Sequence, residues 1–98
     1  MKLRILPSAM TDLRRGCEFY ARQSDSLGDY FLDCLFSDID SLELYAGVHA
    51  KMFGYHRLLA KRFPFAVYYK MDGAVCTVWR VLDCRQNPEK AKSALRER

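Results

Sequence analysis

Six cations stand in or beside the apolar stretches of the second half of the chain: Arg57, Lys61, Arg62, Lys70, Arg80 and Arg85. Tyr55, Tyr68, Tyr69 and Trp79 are interleaved with them. A guanidinium grips phosphate through two parallel hydrogen bonds and also stacks on aromatic rings. Arginine alternating with tyrosine and tryptophan is therefore a composition that can hold RNA or another phosphate-rich surface. From composition alone the plainer reading is favoured, in which the cations are solvated and the aromatics fill the core. Metal-free RNA cleavage asks for more: a base for the 2′-hydroxyl, an acid for the leaving oxygen, and cations for the phosphorane charge. Arg57 and Arg85 could supply charge, Tyr68 could donate a proton, and His56 and His49 are the two histidines available. On a strand His56 and Arg57 point to opposite faces, which parts base from cation and counts against a strong nuclease.

Other chemistries find less material. The glycines Gly16, Gly28, Gly47, Gly54 and Gly73 are isolated, so there is no phosphate-cradling loop. No histidine lies near a candidate nucleophile in sequence. Cys17, Cys34, Cys76 and Cys84 form no CxxC pair, and two histidines are too few for a clustered zinc site. Reduced, mostly buried thiols are expected, with no metal and no cofactor.

The elements that must position these residues fit one domain of 98 residues, spanning 1–98. Half of the residues are hydrophobic and 13% aromatic, which excludes disorder. No apolar run approaches the roughly 20 residues that a membrane helix needs. The opening residues meet Pro7 too soon for a signal peptide, so a cytoplasmic location is expected. Charge is unevenly shared. Residues 1–45 carry five Lys/Arg against eight Asp/Glu, and residues 46–98 carry eleven against four. An acidic or polyanionic partner would meet the second half first.

The spacing predicts an α+β domain: an N-terminal strand, an antiparallel two-helix hairpin, a three-stranded antiparallel meander and a short C-terminal helix. Lys2 to Leu6 alternates like a half-buried strand and Pro7 ends it. Ser8 is the expected cap of a first helix, with Asp12 in its first turn. The stripe of that helix is Met10, Leu13, Cys17, Tyr20 and Ala21, and Phe19 falls almost opposite. After the polar connector 23–26, a second helix is predicted over 27–45 with the stripe Leu27, Phe31, Cys34, Leu35, Ile39, Leu42 and Tyr45. Asp38 lies inside this stripe, at a rim or facing a cation, while Leu32, Phe36 and Leu44 lie off it. Residues 46–54 read as a loop. Three strands follow over 55–60, 65–71 and 74–83, with Asp72-Gly73 as the hairpin turn between the last two. Asn87-Pro88 breaks the chain before a charged helix over 89–98 that frays.

Both faces of the last two strands are apolar. Phe65, Val67, Tyr69, Val75, Trp79 and Val81 are expected on one, and Ala66, Tyr68, Cys76, Val78 and Leu82 on the other. The helix hairpin shields one face. The other needs the terminal helix, a second copy or a partner chain, and a partner chain is the expectation drawn here.

Several marker residues recur in order: Ser8-Ala9 with Asp12-Leu13, then the Phe31/Leu35/Ile39/Leu42 stripe, then Gly54 and Arg57. Phe63-Pro64-Phe65-Ala66-Val67-Tyr68-Tyr69 and the ending Val81-Leu82-Asp83-Cys84-Arg85-Gln86-Asn87-Pro88 complete the set. Over nearly the whole chain this resembles the RelE/ParE superfamily of bacterial type II toxins, nearer its ParE-like branch. The resemblance implies a small α+β toxin masked by a cognate antitoxin, meeting DNA only indirectly through that antitoxin, with a homodimer possible when isolated. RelE-like members cut messenger RNA on the ribosome; ParE-like members poison DNA gyrase and have no nuclease site. RelE-like nucleases carry an arginine early in the central strand, where this chain has Phe65-Ala66, and a Tyr or His near the C-terminus, where nothing after Cys84 is aromatic or His. Asp83 replaces the frequent histidine at the end of the last strand. The resemblance thus favours a growth-inhibiting, plasmid-stabilising type of toxin that is not an enzyme, binding gyrase rather than the ribosome. It assigns Arg57 and Arg85 as the catalytic candidates and Arg57, Arg62, Arg80 and Arg85 as target or phosphate contacts. Phe19, Leu32, Phe36, Leu44 and Trp79 are the expected antitoxin surface. A chain that has kept its antitoxin and lost its toxicity is the third alternative.

Overall fold

The computed structural model describes residues 1–96. Strand β1 (Lys2–Ile5) leads into helix α1 (Pro7–Ala21), and a short link joins α1 to α2 (Asp25–Asp40) and a single further turn, α3 (Leu42–Tyr45). Then come β2 (Lys51–Met52), β3 (Tyr55–Leu59), β4 (Phe65–Asp72), β5 (Val75–Asp83) and α4 (Pro88–Arg96). The sheet order is β1-β5-β4-β3-β2. The expected meander is present but longer: β2 adds a fourth antiparallel strand inside the stretch expected to be loop, and β1 pairs parallel with β5. Residues 97–98 of the expected terminal helix lie outside the described residues.

Pro7, rather than Ser8, sets the start of α1. Proline at the first helical position loses no hydrogen bond and brings its φ already fixed. Leu6 occupies the cap without a side-chain bond, and the Ser8 hydroxyl instead donates to the Trp79 carbonyl at 3.0 Å. The buried stripe of α1 is Ala9, Asp12, Leu13, Gly16 and Tyr20. It is rotated by one residue from the expected one, and Met10 faces out. Gly16 and Gly28 make the helix crossing possible. A Cβ on Gly16 would stand 2.5 Å from the Phe31 ring, and one on Gly28 2.9 Å from the Cys17 carbonyl. Phe31 fills the space so created and meets Phe63 and Phe65 edge-on, with centroids 5.1 and 5.0 Å away. Full burial of a ring of this size contributes roughly 1.5–3 kcal/mol.

The second helix begins at Asp25, two residues before the expected start, and breaks at Ser41, whose hydroxyl donates to the Asp38 carbonyl at 2.6 Å. Leu42 still reaches the core, but Tyr45 turns to solvent. Asp38 is buried at the base of a surface cleft that it lines together with Lys61 and Arg62. Its carboxylate accepts the backbone N–H of Lys61 at 3.2 Å and so fastens α2 to the β3–β4 turn.

A bulge corrects the expected faces of β5. Tyr69 pairs with Val78 and Tyr68 with Arg80, leaving Trp79 unmatched. One extra residue reverses the alternation beyond it. Phe65, Val67, Tyr69, Cys76, Val78 and Val81 therefore share the helix-side core. Ala66, Tyr68, Trp79 and Leu82 form a second cluster with Tyr55 and Leu95 on the other side. The last hairpin turns on Gly73 and Ala74, because Asp72 still pairs with Val75. Gly73 there takes a φ of +58°, which glycine adopts without strain.

The expectation that a foreign chain must shield the far side of the sheet is overturned. Helix α4 covers it. Leu95 is 3% exposed against Tyr55, Ala66 and Tyr68, the Tyr55 hydroxyl donates to the Leu95 carbonyl, and Arg80 donates to the Ala94 carbonyl. The helix is rich in charged residues. Its single buried leucine and two accepted hydrogen bonds suffice to seat it. No helix among the described residues is long and apolar enough to cross a membrane.

Candidate functional site

Strands β3, β4 and β5 bring Arg57, Tyr68 and Cys84 together at one end of the far face. The Arg57 Nε donates to the Tyr68 hydroxyl at 3.1 Å, and its Nη2 approaches the Cys84 Sγ at 3.5 Å. Neither partner is a carboxylate, and no carboxylate among the described residues pairs with Arg57, so the guanidinium is held in place while its charge stays uncompensated. Such a cation is poised for a phosphate or carboxylate from outside. Further along the same face, the Lys70 ammonium stands 4.5 Å from the Tyr55 ring centre and 5.3 Å from that of Trp79. The expected interleaving of cations and aromatics is thus real, but it is largely intramolecular.

The other expected contact residues do not join Arg57 in one site. Arg80 is committed to the fold: its Nε and Nη2 bond both Asp12 carboxylate oxygens at 2.6 and 2.8 Å, and its Nη1 bonds the Ala94 carbonyl. Asp12 is correspondingly not a solvated first-turn residue, since it is 8% exposed and also accepts the Val81 N–H. Arg85 stands beyond β5, exposed and clasped by Asp83 through its Nε and Nη2. That pair raises the Arg85 pKa still further and holds the Asp83 carboxyl below its usual range. Arg62 is exposed in the β3–β4 turn. The two catalytic candidates therefore differ sharply, Arg57 being uncompensated and Arg85 neutralised.

Arg85 does meet a residue assigned to a different role. Its guanidinium lies 5.9 Å from the Phe19 ring centre, across the α1–α4 groove. A cavity of about 340 Å³ opens there, lined among others by Arg15, Phe19, Asp83 and Lys90, with the Asp12–Arg80 pair in its wall. Of the expected antitoxin surface, Phe19 and Leu44 are exposed, at 43% and 81%. Leu32 and Phe36 pack partly buried against the helix-side core, and Trp79 against the far cluster. The residues 44–53 present more apolar surface than was expected of them, through Leu44, Tyr45, Val48, Met52 and Phe53. Phe53 and Gly54 both take positive φ, at 58° and 85°, in the two-residue β2–β3 turn.

The histidines form a cluster that sequence spacing did not bring out. His56 lies on the helix side of β3, opposite to Arg57 as expected, and stacks on Tyr69 with centroids 5.0 Å apart. Its Nδ1 meets the His49 carbonyl at 2.6 Å, an acceptor, so Nδ1 carries the proton. The His49 Nδ1 meets the Tyr69 hydroxyl, which also accepts the Gly47 N–H at 2.9 Å. Burial and then the neighbouring His56 push the His49 pKa down, while burial pushes the Tyr69 phenol up. The signal available in the sequence was the seven-residue separation of the histidines across a tight turn, which needs β2 to be recognised first.

Among the described residues no group of three or more His, Cys, Asp or Glu could hold a metal ion. The four cysteines are free thiols; Cys76 is buried, Cys17 and Cys34 are half-buried, and Cys84 is exposed.

No protein-family model matches the chain, and no curated protein matches it. Among solved structures, a chain described as belonging to the "Chromosomal ParDE TA system from P. aeruginosa" superposes with a TM-score of 0.75 at 17% identity, covering 83% of this chain and 92% of that one. The fold is thus the RelE/ParE-like α+β fold that the sequence motifs resemble.

Proposed function

We propose that this chain is the toxin of a toxin–antitoxin pair, that it acts in the cytoplasm by binding DNA gyrase rather than by cutting RNA, and that a cognate antitoxin keeps it silent. The likeness of its fold to a ParDE chain carries the reading. Two features of the surface support the binding mode. Arg57 offers an immobilised, unneutralised cation to an anionic partner. The histidine that could serve as the base for RNA cleavage, His56, stacks on Tyr69 on the helix side of the sheet, opposite to Arg57.

The antitoxin has a surface to cover even though α4 already closes the sheet. Phe19 on α1 and Leu44 after α2 are exposed, and the acidic helical half presents them. Inducing the chain alone in a bacterium tests the proposal. Growth should stop with transcripts intact and chromosomal supercoiling lost, and co-expression of the antitoxin should restore growth. Cleaved transcripts would favour a ribosome-dependent nuclease instead, and harmless induction would exclude both toxin readings.

A further inference from the structure

The segment between α3 and β2 is fastened to the sheet by three hydrogen bonds that converge on one histidine and one tyrosine. The Gly47 N–H donates to the Tyr69 oxygen, the His49 Nδ1 pairs with the Tyr69 hydroxyl, and the His56 Nδ1–H donates to the His49 carbonyl. The Tyr69 ring is 0% exposed, and His49 packs edge-on against it with centroids 5.5 Å apart. Because the phenol oxygen already accepts from Gly47, its own hydrogen is free to go to the His49 Nδ1. That arrangement requires a neutral His49 whose proton sits on Nε2.

We propose that His49, Tyr69 and His56 form an acid-sensitive clamp, which holds residues 46–50 on the sheet at neutral pH and lets them go in mild acid. Protonation places a hydrogen on the His49 Nδ1, which can then no longer accept. The Tyr69 hydroxyl loses its acceptor in an apolar setting, and a buried donor without a partner is unfavourable. The new imidazolium also stands beside His56, which stacks on the same ring. Among the described residues no neighbouring group offsets this charge. His56 comes from β3, Tyr69 from β4, and Cys76, which acts on Tyr69, from β5. Lys51 on β2, opposite His56, is itself a cation, and Glu43 on α3 is exposed. The released segment carries Val48, 72% exposed, between Leu44 and Met52, so the clamp governs how an apolar stretch is presented. The inference does not depend on the proposed target.

The direction follows from linkage. A histidine that is more easily protonated when the clamp is open binds protons preferentially in the open form, so closure weakens as pH falls. Amide hydrogen exchange of the intact chain, corrected for intrinsic rates, reads this at Gly47. Between about pH 7.5 and about pH 5.5 the protection of the Gly47 amide should fall several-fold, by up to about tenfold, while amides in the middle of β4 keep theirs. His49→Asn offers a non-titrating acceptor near the Nδ1 position and should make Gly47 protection independent of pH. Tyr69→Phe removes the hydroxyl and should leave Gly47 weakly protected at both pH values, so it serves if the asparagine variant folds poorly. Equal protection of Gly47 at the two pH values, or an unchanged pH dependence in both variants, would overturn the proposal.

Discussion

Asp12 on α1 and Arg80 on β5 lie 68 residues apart in sequence and are joined by two parallel hydrogen bonds of 2.6 and 2.8 Å. The pair closes a gap in the sheet. Strand β1 covers the edge of β5 only as far as Val78, and beyond it the edge groups of β5 need other partners. The Ser8 hydroxyl takes the Trp79 carbonyl, and the Asp12 carboxylate takes the Val81 N–H. Helix α1 thus completes a strand edge with two side chains, and Arg80 extends the link to α4.

Replacing Asp12 by alanine takes both carboxylate oxygens away from a mostly buried guanidinium and removes the acceptor of a strand N–H. Removing one partner of a buried pair costs about 3–5 kcal/mol, and Asp12→Ala should lose stability of this order in urea denaturation. Asp12→Asn retains one acceptor and should lose less. A loss below about 0.5 kcal/mol for the alanine variant would show that the pair is dispensable.

The contact between Gly16 and Phe31 predicts a cost for the smallest possible side chain. Alanine would normally stabilise a helix interior by roughly 1 kcal/mol over glycine. Here its Cβ would stand 2.5 Å from a ring wedged among Tyr20, Phe63 and Phe65, so the ring cannot swing away. Overpacking of this kind costs about 1–3 kcal/mol, and Gly16→Ala should lower the melting temperature despite its better helix propensity. Combining it with Phe31→Leu should give less than the sum of the two losses.

Leu95 anchors α4, and Leu95→Ala should remove about 2–3 kcal/mol together with part of the cover over Tyr55 and Trp79. Trp79 is the only tryptophan, so its fluorescence reports the change directly. A red-shifted emission and increased binding of a hydrophobic dye are expected. An unshifted emission would mean that α4 contributes nothing to closing this face.

Stability should peak near neutral pH. The depressed His49 pKa means that the unfolded chain takes up protons first, so stability falls as pH drops below about 6.5. The raised pKa values of Cys76 and Tyr69, both due chiefly to burial, work in the opposite direction. The folded chain holds those protons longer, so stability falls again as pH rises past about 9 and then about 10. Asp83 adds a loss in strong acid, as pH falls through its depressed pKa. Thermal melts across this range check the shape, and His49→Asn should remove the first decline.

Periodicity made α1, α2, β3, β4 and β5 legible, because each repeats its apolar residues at a helical or strand period over several turns or pleats. It could not reveal β2, which is two residues long and owes its existence to the turn at Phe53 and Gly54. Nor could it place Trp79, since a bulge inserts one residue without changing composition. The backbone partners of Asp12 and Asp38 are hidden from the sequence for a related reason. Each carboxylate satisfies a backbone N–H on a distant element, and the sequence around an aspartate does not say which strand edge will need it. The same holds for the candidate site. The arginines were visible, but whether a carboxylate neutralises each one is decided only when β5 meets α1 and the chain beyond it. Of Arg57, Arg80 and Arg85, that leaves Arg57 uncompensated.

The most direct measurement is a DNA gyrase supercoiling reaction with the purified chain added in increasing amounts. Supercoiling should be inhibited and broken DNA should accumulate at chain concentrations comparable to the enzyme, and Arg57→Ala should weaken the effect at least tenfold without changing the melting temperature. Gyrase that turns over unimpaired in a large excess of folded chain would contradict the account.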